Sequence, residues 1–190
     1  MTKRKITCIT GTRADYPRVR SVLREIRSRE DLELSLIVTG SHLLSEYGYS
    51  AQEIIDDGFE ISEKVEMFIG EFDTPLGMTE ASARCTAGVA KALDQLKPDL
   101  VLITVDRVET LASTTAASLM NFPIAHIQGG EVTGTIDESI RHAISKIANF
   151  HLVSTKKSKE RLIKMGELEE NITITGAPGL DEIRIKRKNI

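Results

Sequence analysis

At 190 residues, with 41% hydrophobic and 28% charged residues, the chain has the composition of one ordinary globular domain. Its formal net charge of −3 argues against a nucleic-acid partner, which would usually require a basic face. No apolar run reaches membrane-spanning length, and the apolar stretch after Met-Thr-Lys-Arg-Lys is too short for a signal-peptide core, so a cytoplasmic protein away from the membrane is expected.

Taken in chain order, apolar runs alternate with segments of helical period. Ile6 to Thr10 reads as a strand, and Tyr16-Pro17 opens a helix on which Val19, Val22, Leu23 and Ile26 share one face. Leu34 to Thr39 is a second strand. A helix over Ala51 to Asp57 and a strand within Ile61 to Phe68 follow, and then a loop containing Gly70, Pro75 and Gly77. Thr79 is expected to cap a helix that runs to about Leu96. Leu100 to Val105 is continuously apolar, as suits a strand buried on both faces, and a helix from Val108 to Met120 comes next. Pro123 to Ile127, a helix from Asp137 to Phe150, Leu152-Val153, a helix from Lys156 to Met165, and Ile172 to Thr175 complete the set. This alternation predicts an α/β fold: a Rossmann-like, doubly wound parallel sheet with helices on both faces.

In such sheets ligands bind beyond the carboxyl ends of the strands. Four of these ends carry polar residues of chemical interest. Gly11-Thr12-Arg13-Ala14-Asp15-Tyr16 combines a glycine that lets backbone approach a ligand, a helix amino end and a cation suited to phosphate. It matches neither a dinucleotide fingerprint nor a P-loop, and an ordinary strand–helix turn explains it equally well. Asp106-Arg107 follows a buried strand; Asp106 alone reads as an N-cap at least as readily as a catalytic group. His126-Ile127-Gln128-Gly129-Gly130-Glu131 leads to Asp137-Glu138-Ser139-Ile140-Arg141-His142, where helical spacing puts 137 with 141 and 138 with 142. Paired carboxylates at a helix amino end suit proton abstraction, although a charged first turn with Asp137–Arg141 pairing accounts for the same residues.

The four histidines, His42, His126, His142 and His151, lack metal-ligand spacing, so no metal is expected. His151 reads as structural, whereas His126 ends a strand and is placed to face a ligand. Cys8 and Cys85 lie outside any Cys-x-x-Cys spacing, and Cys8 reads as a small core hydrophobe.

Taken together, 11–16, Asp106-Arg107 and 126–142 resemble the hydrolysing UDP-N-acetylglucosamine 2-epimerases of the sialic and legionaminic acid branch. Gly176-Ala177-Pro178-Gly179-Leu180-Asp181 resembles that family's crossing between two domains. The resemblance implies the N-terminal half of a glycosyltransferase-B type fold, with residues 1–176 as the domain and 177–190 as the crossover and the start of a second domain. It implies conversion of UDP-GlcNAc to UDP and N-acetylmannosamine without a cofactor, a homodimer, and a second domain supplied in cis or in trans. By position it assigns catalysis to Asp106, Asp137 and Glu138, and substrate binding to Gly11, Arg13, Asp15, His126, Gln128, Gly130, Glu131, Arg141 and His142. Two positions depart from the family pattern. Val105 stands where glycine is usual, and is expected to crowd the strand end; Gln128 stands where many members have glutamate, and cannot take a proton at neutral pH. Those departures favour the alternative of a non-catalytic sugar-nucleotide binding or regulatory module, while the intact 137–142 cluster favours an enzyme. A glycosyltransferase N-terminal domain would share the fold but not the paired carboxylates.

Overall fold

The computed structural model describes residues 2–181 and residue 183. Seven parallel strands form one sheet: β1 (Arg4–Thr10), β2 (Leu32–Thr39), β3 (Glu63–Val65), β4 (Leu100–Thr104), β5 (Ile124–Ile127), β6 (Phe150–Val153) and β7 (Ile172–Ile174). Their spatial order is β3-β2-β1-β4-β5-β6-β7. From β1 the chain winds one way and from β4 the other, so the crevice at the strand ends opens between β1 and β4. Right-handed crossovers then place the helices of the two windings on opposite faces.

Alternation along the strands records this. Cys8, Leu36, Val38 and Leu102 pack with Val19, Leu23 and Ile26 of α1 (Tyr16–Ser28) and Ile54 of α2 (Ala51–Asp56). Their strand neighbours Ile9, Ile37 and Ile103 pack with Cys85, Val89 and Leu93 of α3 (Pro75–Leu96), Ala112 and Ala116 of α4 (Val108–Leu119), and Ile144 of α5 (Ile136–Ile147). On α6 (Lys156–Lys164), Leu162 closes a smaller cluster against Val153 and Ile172.

Several boundaries differ from the sequence reading, three of them instructively. Helix α3 starts at Pro75 because Thr74, not Thr79, is the cap: Thr74 Oγ1 accepts from the Gly77 amide at 3.0 Å, and proline at the first position costs no hydrogen bond. The Thr79 hydroxyl instead donates back to the Pro75 carbonyl. The strand sought within Ile61 to Phe68 contracts to Glu63–Val65. Phe150 belongs to β6, not α5, because the Asn149 amide bonds to Ile124 O and the Asn149 side chain accepts from Ile124 N, which breaks the helix and starts the strand. Of the crossover expected at 177–190, the described part returns to α1: Ser21 Oγ donates to Pro178 O at 3.3 Å, and Gly179 lies against Pro17 and Arg18. The remainder lies outside the described residues.

Leu23 is fully buried at the centre of α1, whereas Leu119 ends α4 with 76% of its surface exposed. Leu23→Ala is expected to lower the unfolding free energy by about 2–5 kcal/mol in urea titration. Leu119→Ala should cost less than about 0.5 kcal/mol; comparable losses would contradict this placement of the core.

Candidate active site

The predicted residues converge at the carboxyl ends of β1, β4 and β5. Arg141, 6% exposed in its side chain, reaches from α5 to the β4 end and ion-pairs through Nη2 with Asp106 Oδ2. Its Nη1 donates to the Glu131 carbonyl at 2.7 Å. One guanidinium thus joins the loop after β4 to the loop after β5. Asp106 makes no N-cap, since Arg107 takes that position, and the Asp137–Arg141 pairing open on sequence grounds gives way to Asp106–Arg141.

Asp137 and Glu138, neighbours in the first turn of α5, have separate surroundings. Glu138 Oε2 accepts from the amides of Gly134 and Thr133, each at 2.7 Å, and these bonds hold its carboxyl below the usual range. The residue closes the glycine loop much as a capping-box glutamate does. Its other oxygen lies 3.8 Å from His142 Nε2, and His142 Nδ1 is buried without a hydrogen-bond partner among the described residues. Asp137 lies within electrostatic reach of Glu109 on α4.

His126 is fully buried, with both ring nitrogens engaged by the protein. Nε2 lies 3.0 Å from the Val105 carbonyl, which can only accept, so Nε2 carries the proton; Nδ1 then accepts from Ser145 Oγ at 3.1 Å. Burial pushes the imidazole down to about 4, which keeps it neutral. In this arrangement His126 offers a ligand no free nitrogen and instead fixes the β4 end to α5.

The positions directly after β4 and β5, Val105 and Gln128, both adopt left-handed backbone, with φ of +63° and +62°. For a β-branched residue this is strained, by about 1–3 kcal/mol. It also explains why β4 stops at Thr104, one residue before the sequence suggests. The crowding expected of Val105 is therefore seen in its backbone. Gln128 is buried, its Oε1 accepting from Arg18 Nη1 at 3.4 Å. Gly130 has φ of +75°, and a Cβ there would stand 2.6 Å from the Ser158 carbonyl of α6, so the second glycine of the pair answers to packing.

The loop after β1 differs from a phosphate cradle. Asp15 Oδ2 accepts from the amides of Thr12 (3.1 Å) and Gly11 (3.4 Å), while the Ala14 amide bonds to Thr12 Oγ1 and those of Asp15 and Tyr16 to the Thr12 carbonyl. Burial pushes the Asp15 carboxyl up to about 6. With its amides turned inward, the loop presents side chains. Arg13 lines a cleft of about 360 Å³ with Thr12, Tyr47, Ser50 and Arg107. A hollow of about 730 Å³ opens at the amino ends of the strands beside Arg4 and Asp31, away from this chemistry.

Sequence reasoning named Arg107 only as the neighbour of Asp106 and assigned no role to Arg107 or Glu109. Glu109 in the first turn of α4 looks like an ordinary helix-dipole carboxylate, yet it is 4% exposed and lies against Gly11, where a Cβ would stand 2.3 Å from Glu109 Cγ. Gly11 is thus required by Glu109. Among the described residues no group of three or more His, Cys, Asp or Glu could hold a metal ion, and no helix is long and apolar enough to cross a membrane.

Because Asp106 and Arg141 are both largely buried, Arg141→Ala would strand a buried carboxylate, at a cost of about 3–5 kcal/mol. Adding Asp106→Asn should recover part of that loss in urea titration; strictly additive losses would mean that the pair is uncoupled.

A family model described as UDP-N-acetylglucosamine 2-epimerase matches residues 24–190. The chain is 45% identical over 180 residues to a UDP-N,N'-diacetylbacillosamine 2-epimerase (hydrolyzing) of Legionella pneumophila, covering 95% of this chain and 48% of that protein. It is 38% identical over 182 residues to a UDP-N-acetylglucosamine 2-epimerase of Neisseria meningitidis, covering 94% of this chain and 46% of that one. The crystal structure of a UDP-GlcNAc 2-epimerase from Neisseria meningitidis bound to UDP-GlcNAc superposes with a TM-score of 0.85 at 19% identity, over 97% of this chain and 50% of its own. The fold is accordingly the Rossmann-like N-terminal half of a glycosyltransferase-B type architecture. The chain spans about half the length of the curated relatives it matches. By its sequence, it belongs to the UDP-N-acetylglucosamine 2-epimerase family.

Proposed function

We propose that this chain is the N-terminal catalytic half of a hydrolysing UDP-GlcNAc 2-epimerase, and that it acts together with a second domain of similar size. The observation that carries the reading is the Arg141-held Asp106 in the loop after β4, with Asp137 presented on the same helix as Arg141. One carboxylate takes the proton from C2 of the sugar while the C1–O bond to UDP breaks, leaving a C1=C2 double bond in 2-acetamidoglucal. Water then adds its hydroxyl to C1, and a proton returns to C2 from the opposite side, giving N-acetylmannosamine. Two carboxylates on different elements suit a removal and a return on opposite faces. Arg141 orients Asp106, and Arg13 and Arg107 supply cations for the diphosphate. Glu138 and His126 serve the site indirectly, by holding the glycine loop and the β4 end.

The 45% identity to an enzyme named for UDP-N,N'-diacetylbacillosamine makes the 2,4-diacetamido sugar nucleotide a second substrate reading of the same chemistry.

Both are tested by measuring UDP release and the free 2-epimerised sugar, with each nucleotide sugar in turn. The 190-residue chain alone should be silent, and supplying the second domain should restore turnover. In the completed enzyme, Asp106→Asn and Asp137→Asn should each lower kcat by at least about 10²-fold. Turnover by the chain alone would overturn the half-enzyme reading, and a completed enzyme indifferent to both substitutions would overturn the assigned roles.

A further inference from the structure

His42 is a buried histidine to which the reaction above gives no part. It lies in the turn after β2, fully buried, and its amide donates to the Gly11 carbonyl at 3.2 Å. Its ring bridges two hydroxyls. Nε2 lies 3.1 Å from Thr10 Oγ1 at the end of β1, and Nδ1 lies 2.7 Å from Ser50 Oγ. Burial pushes the imidazole down to about 4, so at neutral pH the ring has a single N–H and a single lone pair to share between them.

Counting protons decides which nitrogen holds it. Thr10 is 2% exposed, and among the described residues its hydroxyl meets only His42. Were Nε2 protonated, Thr10 Oγ1 would have to accept, and its own proton would be buried without an acceptor, a costly arrangement. With the proton on Nδ1, the Thr10 hydroxyl donates to Nε2 and Nδ1–H donates to Ser50 Oγ, which satisfies both ring nitrogens. The Ser50 proton is then left over. The helix that follows does not use this hydroxyl either. Ser50 stands before α2 where serine usually caps, yet its side chain makes no cap bond, and the Gln52 and Glu53 amides go to the Tyr49 and Ser50 carbonyls.

What Ser50 does border is the cleft of about 360 Å³ shared with Arg13 and Arg107. Arg13 Nη2 approaches the same loop, 3.5 Å from where a Cβ on Gly48 would stand. Two guanidinium groups offer only donors, and a hydroxyl whose oxygen already accepts from Nδ1–H adds another. Such a lining suits a ligand that only accepts. Resting on the reading that this cleft receives the diphosphate of a sugar nucleotide, we propose that Ser50 donates its hydroxyl proton to a diphosphate oxygen, and that His42 is the positioning residue that turns it there. The Thr10–His42–Ser50 chain thus sets a neutral donor, anchored to the sheet, beside two cations carried on loops.

The test is ¹⁵N NMR of the imidazole rings in the wild-type 190-residue chain, before and during titration with UDP at low salt. His42 should carry its proton on Nδ1, and UDP should move that Nδ1 resonance, a response that a purely structural histidine would not show. Ser50→Ala should weaken UDP binding by about tenfold, and Ser50→Thr, which keeps the hydroxyl, should restore most of it. A proton on Nε2, an Nδ1 resonance that UDP leaves in place, or equal affinity in wild type and Ser50→Ala would each overturn the proposal. None of these readouts needs turnover, so their failure and that of the epimerase assay are separate results.

Discussion

The Arg141–Asp106 ion pair is the contact on which the site's arrangement depends. A parallel sheet fixes where strands end, but not how the loops beyond them face one another, because each loop leaves for a different helix. Arg141 supplies that relation: it starts on α5, reaches the β4 end, and holds the Glu131 carbonyl of the loop between. His126 and Ser145 make a second, neutral link between the same elements. Since truncating one partner of a buried pair leaves the other charge without compensation, the ion pair constrains the geometry more firmly than its net contribution to stability would suggest.

Strain accumulates at the same level of the sheet. Val105 and Gln128 follow neighbouring strands paired Thr104 to Ile127, and both turn left-handed there. Glycine would take that backbone at little cost, but valine does not. The strain persists because the Val105 carbonyl is held by His126 and the Gln128 amide by the Leu152 carbonyl. The turn directs Asp106 away from the strand and towards Arg141, which is how a strand end becomes a presented carboxylate.

Much of this fold was legible in the sequence because it rests on periodicity: the buried runs of β1, β2 and β4 and the apolar stripe of α1 fall where their patterns put them. Boundaries fared worse where two local signals compete. Pro75 and Gly77 look like loop residues, yet Thr74 converts them into a capped first turn. At the site, sequence marked which loops carry the polar residues but not their partners. Asp137 and Arg141 share a helical face, a local rule, but burial decides the pairing and gives Arg141 to Asp106. Glu138 looks the same as Asp137 in sequence, yet its longer side chain reaches back to two loop amides. Glu109 is harder still, because nothing local distinguishes a solvated helix-end glutamate from one folded under a glycine of another loop.

That last contact shapes how an anion can be received. A glycine-rich turn before a helix usually offers its amides to phosphate, and here Asp15 occupies those of Gly11 and Thr12. The amides are therefore not what greets a diphosphate. In the proposed reading Arg13 and Arg107 take that part, and both are exposed to solvent. Cations in open water attract an anion weakly and under strong salt screening, so this face alone would bind a nucleotide sugar loosely. Closing a second surface over the cleft would remove that water and strengthen the same charges without moving them. A half-site built from side chains, with its backbone donors turned inward, thus gains most from a partner domain.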